Sequence, residues 1–395
     1  MEWAGGNLES FQKGSDAIKR LLDVEITPNG LRRLTVRIGS ERESLRDAEV
    51  ARFQNGELGP QYPQSPGVAV VMLDGGRVQT RAADSRRGVH DPAWAESKVG
   101  NLSTYTDVSF TEDPQPEPPS KFLDPPKVLK IIREMKGASG GSKAQEEAPK
   151  KKSTPKQTSE PMENQLQPKR KVRTVVATTK NCEEFGPMVA AEAMRRGFFG
   201  AQKKAALGDG GLWIWAIVSF YFVGFTPILD FLHLLTHLYA AAQAAYKGEA
   251  KKAWKLYEKL VRLAWGGKVT EVLNVLAKHA ERIGEAPEKA AGDDPRKILA
   301  REREYVKTNA EKMDYARYRR EGLPISSAPV ESLIKEVNKR VKGTEKFWTK
   351  ARLEAVLQTR AVYLSDDDRA VRCWSHRPPG RATGRSLFSA SRVAA

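Results

Sequence analysis

Cysteine is almost missing from this chain. Two occur in 395 residues, Cys182 and Cys373, far apart. That excludes a disulfide framework and any cysteine-rich zinc site, and it suits a reducing cytoplasm. Acid is in deficit: 49 Asp and Glu face 66 Lys and Arg, a formal net charge of +17 with a pI near 9.7. Such an excess favours a polyanionic partner, nucleic acid or an anionic membrane surface, and is silent about fold. The opening residues, Met1 to Gly6, lack a basic stretch followed by an apolar one, so no secretory signal is expected. Long charge-free runs are also scarce. One spans Gly210 to Leu229 and, after Asp230, continues to Lys247 with only His233 and His237 as titratable groups. Gly224 and Pro227 break it and no second run of this kind exists, so a buried helix, a short strand and a second buried helix are expected there rather than a membrane span.

What is present is enough apolar residue, 40%, for a real core and two or three domains. Residues 1–60 read as helical: Phe11 to Leu22, a turn over Asp23 to Asn29, then Gly30 to Ile38 carrying Arg32, Arg33 and Arg37. This outlines a helix-turn-helix in which Arg32 and Arg33 are candidate DNA contacts, against the plainer reading of two packed helices with a basic face. Residues 61–110 carry the strongest strand signal. Val68 to Leu73 is apolar throughout, Arg77 to Arg81 alternates like an antiparallel neighbour, and Trp94 to Thr104 supplies a third strand. Residues 111–171 turn to Pro, Ser, Lys, Gln and Glu, with Lys150-Lys151-Lys152 and Lys169-Arg170-Lys171. They read as a disordered basic insert, a solvated tether.

Order resumes over 172–238: a β-prone run at Arg173 to Thr178, a helix at Glu183 to Arg196 ended by Gly197, a strand ending at Asp209, a helix at Trp213 to Phe222, and a strand at Phe225 to Leu229. Pro227 places that last strand at a sheet edge. Residues 239–322 are helical, with apolar stripes such as Val269, Val272, Leu276 and Ile283 that read as core. In residues 323–370 a helix starts near Pro329, burying Val330, Leu333, Ile334, Val337 and Val341 and leaving Glu331, Lys335, Asn338 and Lys342 on a flanking face. A second helix follows, and 371–395 is a basic tail.

Three acidic residues stand in contexts suited to metal. Asp74 closes an apolar run and precedes Gly75-Gly76, and Asp209 closes Lys204 to Gly208 and precedes Gly210-Gly211, so both read as strand-end carboxylates. Glu331 falls in the first turn of its helix. Two strand-end aspartates and a helical glutamate can hold a pair of divalent cations for phosphodiester chemistry. Each residue has a plainer reading. An Asp before Gly-Gly is commonly a turn residue. Asp230 caps a helix or serves the site, and His233 packs or serves with it. His237 reads as structural. Lys335, Lys339, Lys342 and Lys346 form either an exposed face or phosphate contacts.

The order Asp74, Asp209, Asp230-Phe231-Leu232-His233, a long helical stretch and Glu331 resembles bacterial insertion-sequence transposases of the DDE type. Asp230-x-x-His233 is similar to the C/D-x-x-H element of the Mutator-related group. The most specific stretches are Leu207 to Gly210, Ile228 to His233, Gly322 to Ser332 and Arg340 to Trp348. The resemblance implies an α/β, ribonuclease-H-like mixed-sheet catalytic core with a large all-helical insertion. It also implies two magnesium (or manganese) ions on Asp74, Asp209 and Glu331, cleavage at element ends and strand transfer into target DNA, and a homo-oligomer on double-stranded DNA at the nucleoid. The rival classes are a membrane protein using 210–229 and a DNA-binding remnant without catalysis.

Overall fold

Because every residue from Val68 to Leu73 is apolar, the strand that contains them needs cover on both faces, and it has it. All six are buried. The computed structural model describes residues 1–62, 64–81, 93–138, 168–343 and 346–375. Its centre is a five-stranded mixed sheet of β1 (Val68–Thr80), β2 (Ala93–Tyr105), β3 (Arg170–Thr178), β4 (Lys203–Gly208) and β5 (Thr226–Leu229), in the order β3-β2-β1-β4-β5. β1 runs antiparallel to β2, and β2 to β3, whereas β4 is parallel to β1 and β5 to β4. β5 is an edge strand, where Pro227 costs no ladder bond.

Alternation along β1 divides the core in two. Ala69, Val71 and Leu73 pack with Leu102, Val176 and the buried side of α5 (Cys182–Arg195) and α6 (Leu212–Tyr221). Val68, Val70, Met72 and Val78 pack on the opposite face with a larger helical layer. That layer includes α7 (Phe231–Ala245), α8 (Ala250–Trp265), α9 (Val269–Ile283), α10 (Pro295–Thr308), α11 (Tyr315–Arg320), α12 (Ala328–Val341) and α13 (Lys350–Tyr363). The expected stripe of α12, Val330 to Val341, is buried throughout. The charge-free run becomes α6, β5 and the start of α7, as expected. Among the described residues no helix is long and apolar enough to cross a membrane.

Three expectations are corrected. Asp74 does not end its strand: β1 continues to Thr80, and Arg77 to Thr80 pair with β2 instead of forming a separate strand. Neither Gly75 nor Gly76 has positive φ, so the pair stays extended rather than turning. The second amino-terminal helix runs far past Ile38. The helices here are α1 (Glu2–Asn7), α2 (Phe11–Leu22) and α3 (Pro28–Gln54). α3 is held by α13, so closely that a Cβ on Gly39 would meet the Ala355 carbonyl oxygen at 2.0 Å. The buried Arg42–Glu2 pair fixes it further. The segment 111–171 is not structureless throughout. α4 (Pro125–Ala138) lies in it, and Phe122, Val128 and Ile132 are buried in the large-layer core, four-residue spacing having supplied an apolar stripe despite the polar composition. Residues 139–167, with Lys150 to Lys152, lie outside the described residues, as does the tail beyond residue 375. The chain closes with α14 (Arg369–Ser375).

Candidate metal centre

Strand period and register bring the carboxylates together. Asp74 shares a face with Val70 and Met72, two residues beyond the last β1–β4 partner pair, Met72 and Leu207. Asp209 stands two residues beyond Leu207 on the same face. Adjacent strands sit about 4.8 Å apart, so the two aspartates are neighbours where the parallel half of the sheet stops. α12 covers this face and carries Glu331, and α7 enters it with His233. Asp74 is the least comfortable carboxylate. Burial, then the charges of Asp209 and Glu331, push it up to about 7 against the partial relief of His233 and the Gly75 N–H.

Asp230 ties these elements into one unit. Its Oδ2 accepts from the His233 backbone N–H at 3.0 Å and meets His233 Nδ1 at 2.6 Å, and its Oδ1 accepts from Ser327 N–H at 2.7 Å. One buried side chain therefore caps α7, orients the imidazole and anchors the start of α12. The cap reading of Asp230 holds, and the same carboxylate also meets the His233 ring. Burial works against its charge, but His233 and the two N–H donors hold it below the ordinary carboxylate range. Ser327 Oγ in turn donates to Glu331 Oε1 at 3.2 Å. Burial and Asp230 nonetheless raise Glu331. His233 is the cation of the cluster. Burial opposes its protonation, but Asp230, Asp209 and Asp74 raise it to about 9. One ligand atom from each of Asp230, His233 and Glu331 lies within 4.8 Å of the others.

Asp209 is braced from the helical layer. Its Oδ1 accepts from Gly211 N–H at 2.9 Å, and its carbonyl accepts from Tyr305 Oη at 2.7 Å. Gly210 has φ +97°, and a Cβ there would sit 2.8 Å from the Tyr305 ring, so glycine is needed for both conformation and space. The Tyr305 ring stacks on His237, with centroids 3.5 Å apart, and His237 Nδ1 meets the buried Glu302 at 2.5 Å. His237 is thus structural, as expected, but in support of the site. Tyr305 and Glu302 carry no motif and were not foreseen; only their place on the apolar-facing side of α10 hints at them.

The lysines separate. Lys335 is exposed, pairs with Glu134 at 3.4 Å and tempers Glu331. Lys339 is exposed and pairs with Glu336. Lys342 is half-buried, and burial lowers its ammonium. Lys346 donates to the Lys339 and Arg340 carbonyls and so closes the end of α12. Arg32 and Arg33 lie on α3, not beside the carboxylates.

No protein-family model matches the chain, and comparison with curated proteins returns no match.

Proposed function

We propose that the chain is a DDE-type transposase that cleaves DNA at element ends and joins the freed 3′ hydroxyl to target DNA. The observation that carries this reading is that Asp74, Asp209 and Glu331, from three distant segments, come close enough for Asp209 and Glu331 to raise Asp74, beside the Asp230, His233 and Glu331 ligand atoms that lie within 4.8 Å of one another. The sheet order, three antiparallel strands followed by two parallel to the first, and the run of helices between β5 and α12 support a ribonuclease-H-like core with a helical insertion.

The donor set suits hard divalent cations. Carboxylate oxygens dominate it, and burial, followed by the charge of Asp209, keeps Asp74 from ionising freely, a penalty that bound positive charge would offset. Asp74, Asp209 and Glu331 would hold two such ions, magnesium or manganese, which supply activation of water or a 3′ hydroxyl and stabilisation of the leaving oxygen. The chain's own groups do the rest. Ser327 aims Glu331, Gly211 and Tyr305 fix Asp209, and Asp230 holds His233 by Nδ1, leaving Nε2 as the atom that would exchange a proton with an oxygen at the scissile phosphate. The basic balance of the chain supplies affinity for double-stranded DNA.

Magnesium-dependent nicking of the DNA flanking the gene tests this. Asp74→Asn, Asp209→Asn and Glu331→Gln are each expected to reduce cleavage by on the order of 10³-fold or more while DNA affinity stays within a few-fold. A parent protein that binds but never cuts would support the inactive DNA-binding remnant instead.

A further inference from the structure

Away from the carboxylates, three elements bring arginines to one place. The backbone of Trp348 runs beside the end of β1, with Arg81 N–H donating to the Trp348 carbonyl at 2.9 Å and Trp348 N–H to the Gln79 carbonyl. That pairing sets the start of α13, with Lys350 and Arg352, next to Arg81. The close crossing of α3 on α13 then delivers Arg32 and Arg33 to the same spot. Arg33, Lys350 and Arg352 are exposed, Arg32 and Arg81 half-buried. Arg81 Nε has no hydrogen-bond partner among the described residues.

The electrostatics of this cluster are unfavourable in the free protein. Burial and then the charges of Arg352, Arg33 and Arg81 all lower Arg32, with no carboxylate among the acting groups. The charges also sit at the wrong ends of their helices. Neither α3 nor α13 has an acidic residue in its first turn, and no side chain caps α13, so cations lie against the positive ends of two helix dipoles. An anion reverses each of these penalties, and arginine is the side chain suited to bidentate phosphate contact.

We infer that Arg32, Arg33, Arg81 and Arg352 form a phosphodiester-binding subsite for the backbone of duplex DNA, separate from the carboxylate cluster. It rests on the DNA-processing reading above and adds to it a second anchoring point. From Asp74 to Arg81 the extended chain covers roughly 23 Å, about seven base pairs at the per-strand rise of 3.4 Å. A duplex held at both places would be fixed in register against the carboxylates by contacts that carry no sequence information.

The test is the salt dependence of binding to a mixed-sequence duplex, followed by fluorescence anisotropy on the full chain. Arg33→Gln/Arg352→Gln changes two exposed side chains. It is expected to lower the slope of log affinity against log salt by about two units. The charge-matched control Lys251→Gln/Lys255→Gln, on the exposed side of α8, is expected to leave the slope within half a unit, given about 0.9 per phosphate contact. Arg81→Lys keeps charge but loses the fork, and is expected to weaken binding several-fold without changing the slope. Equal slopes for the arginine double variant and its control overturn this inference alone. Absence of duplex binding by the parent overturns the DNA-processing reading and this inference together. Loss of binding to phosphatidylserine vesicles with duplex binding unchanged would assign the arginines to a membrane surface and overturn it too.

Discussion

Two buried charge clusters occupy this fold and behave in opposite ways. Beside α5, Glu192 and Asp367 meet Arg195 and Arg369. Arg195 bonds both carboxylates, at 2.7 and 3.2 Å, and Arg369 does the same at 2.6 and 2.7 Å. Burial alone would raise Glu192, yet Arg369 and Arg195 hold it down at about 2. Around α12, Asp74, Asp209, Asp230 and Glu331 share one histidine, and Asp74 is pushed up to about 7. Burial is common to both clusters, so burial does not separate them; charge balance does. Paired charges fasten α14 to α5, whereas around α12 the carboxylates outnumber the cations that act on them.

Removing one partner should therefore have opposite consequences in the two clusters. Arg195→Met strips buried Glu192 of its two-bonded partner, while Arg369 and Arg372 still hold Asp367, and a loss of about 3 kcal/mol in denaturant unfolding is expected. Asp74→Asn relieves repulsion instead. In metal-free protein at pH 8 it is expected to gain at least ~1 kcal/mol, and to lose most of the stabilisation that magnesium gives the parent. Destabilisation by Asp74→Asn would mean that its charge is balanced by a partner and would remove the contrast.

The contrast was only half visible in the sequence. Asp74, Asp209 and Glu331 could be picked out because each follows a strong pattern, an apolar run or a helix start, and those patterns also set strands β1 and β4 and helix α12. Asp230 was visible as a cap, but its bond to Ser327 N–H spans 97 positions and has no local trace. Asp74 was misjudged as a strand end because Gly-Gly signals a turn locally, while pairing with β2 keeps it extended. Tyr305, Glu302 and the balanced cluster were invisible for one reason: their partners come from distant elements, and periodicity records which face a side chain takes, not what it meets there. α4 was missed because the average composition of its neighbourhood hid a short stripe.

A pH series sharpens the comparison further. His233 is raised from its ordinary value to about 9, so its contribution is fully present below the unfolded value near 6.5 and lost as pH rises through 9. Asp74, raised to about 7, adds a loss between about 4 and 7 as its charge forms in the folded state. Metal-free protein is expected to unfold at progressively lower temperature from pH 6.5 to 9, and His233→Gln to flatten that part of the curve. Glu192, already ionised above about 2, contributes no slope in this range. A decline that survives His233→Gln would place the titrating group elsewhere.

The smallest expected effect is the most specific. Tyr305 touches the carboxylate cluster only through the Asp209 backbone, so Tyr305→Phe removes one hydrogen bond, worth about 0.5–1.5 kcal/mol, and keeps the ring stacked on His237. If the hydroxyl merely stabilises the fold, unfolding free energy drops by that amount and nothing else moves. If it positions Asp209, the magnesium concentration for half-maximal nicking should also rise, by several-fold, while DNA affinity at fixed salt stays put. The carboxylate keeps its bond from the Gly211 N–H, but the backbone that carries it loses its anchor to α10. Tyr305→Leu, which gives up the stacking as well, should shift both readouts further in the same direction. An unchanged magnesium requirement in Tyr305→Phe, with the stability loss intact, would leave Tyr305 a packing residue and would show that the turn at Gly210 holds Asp209 without help from the helical layer.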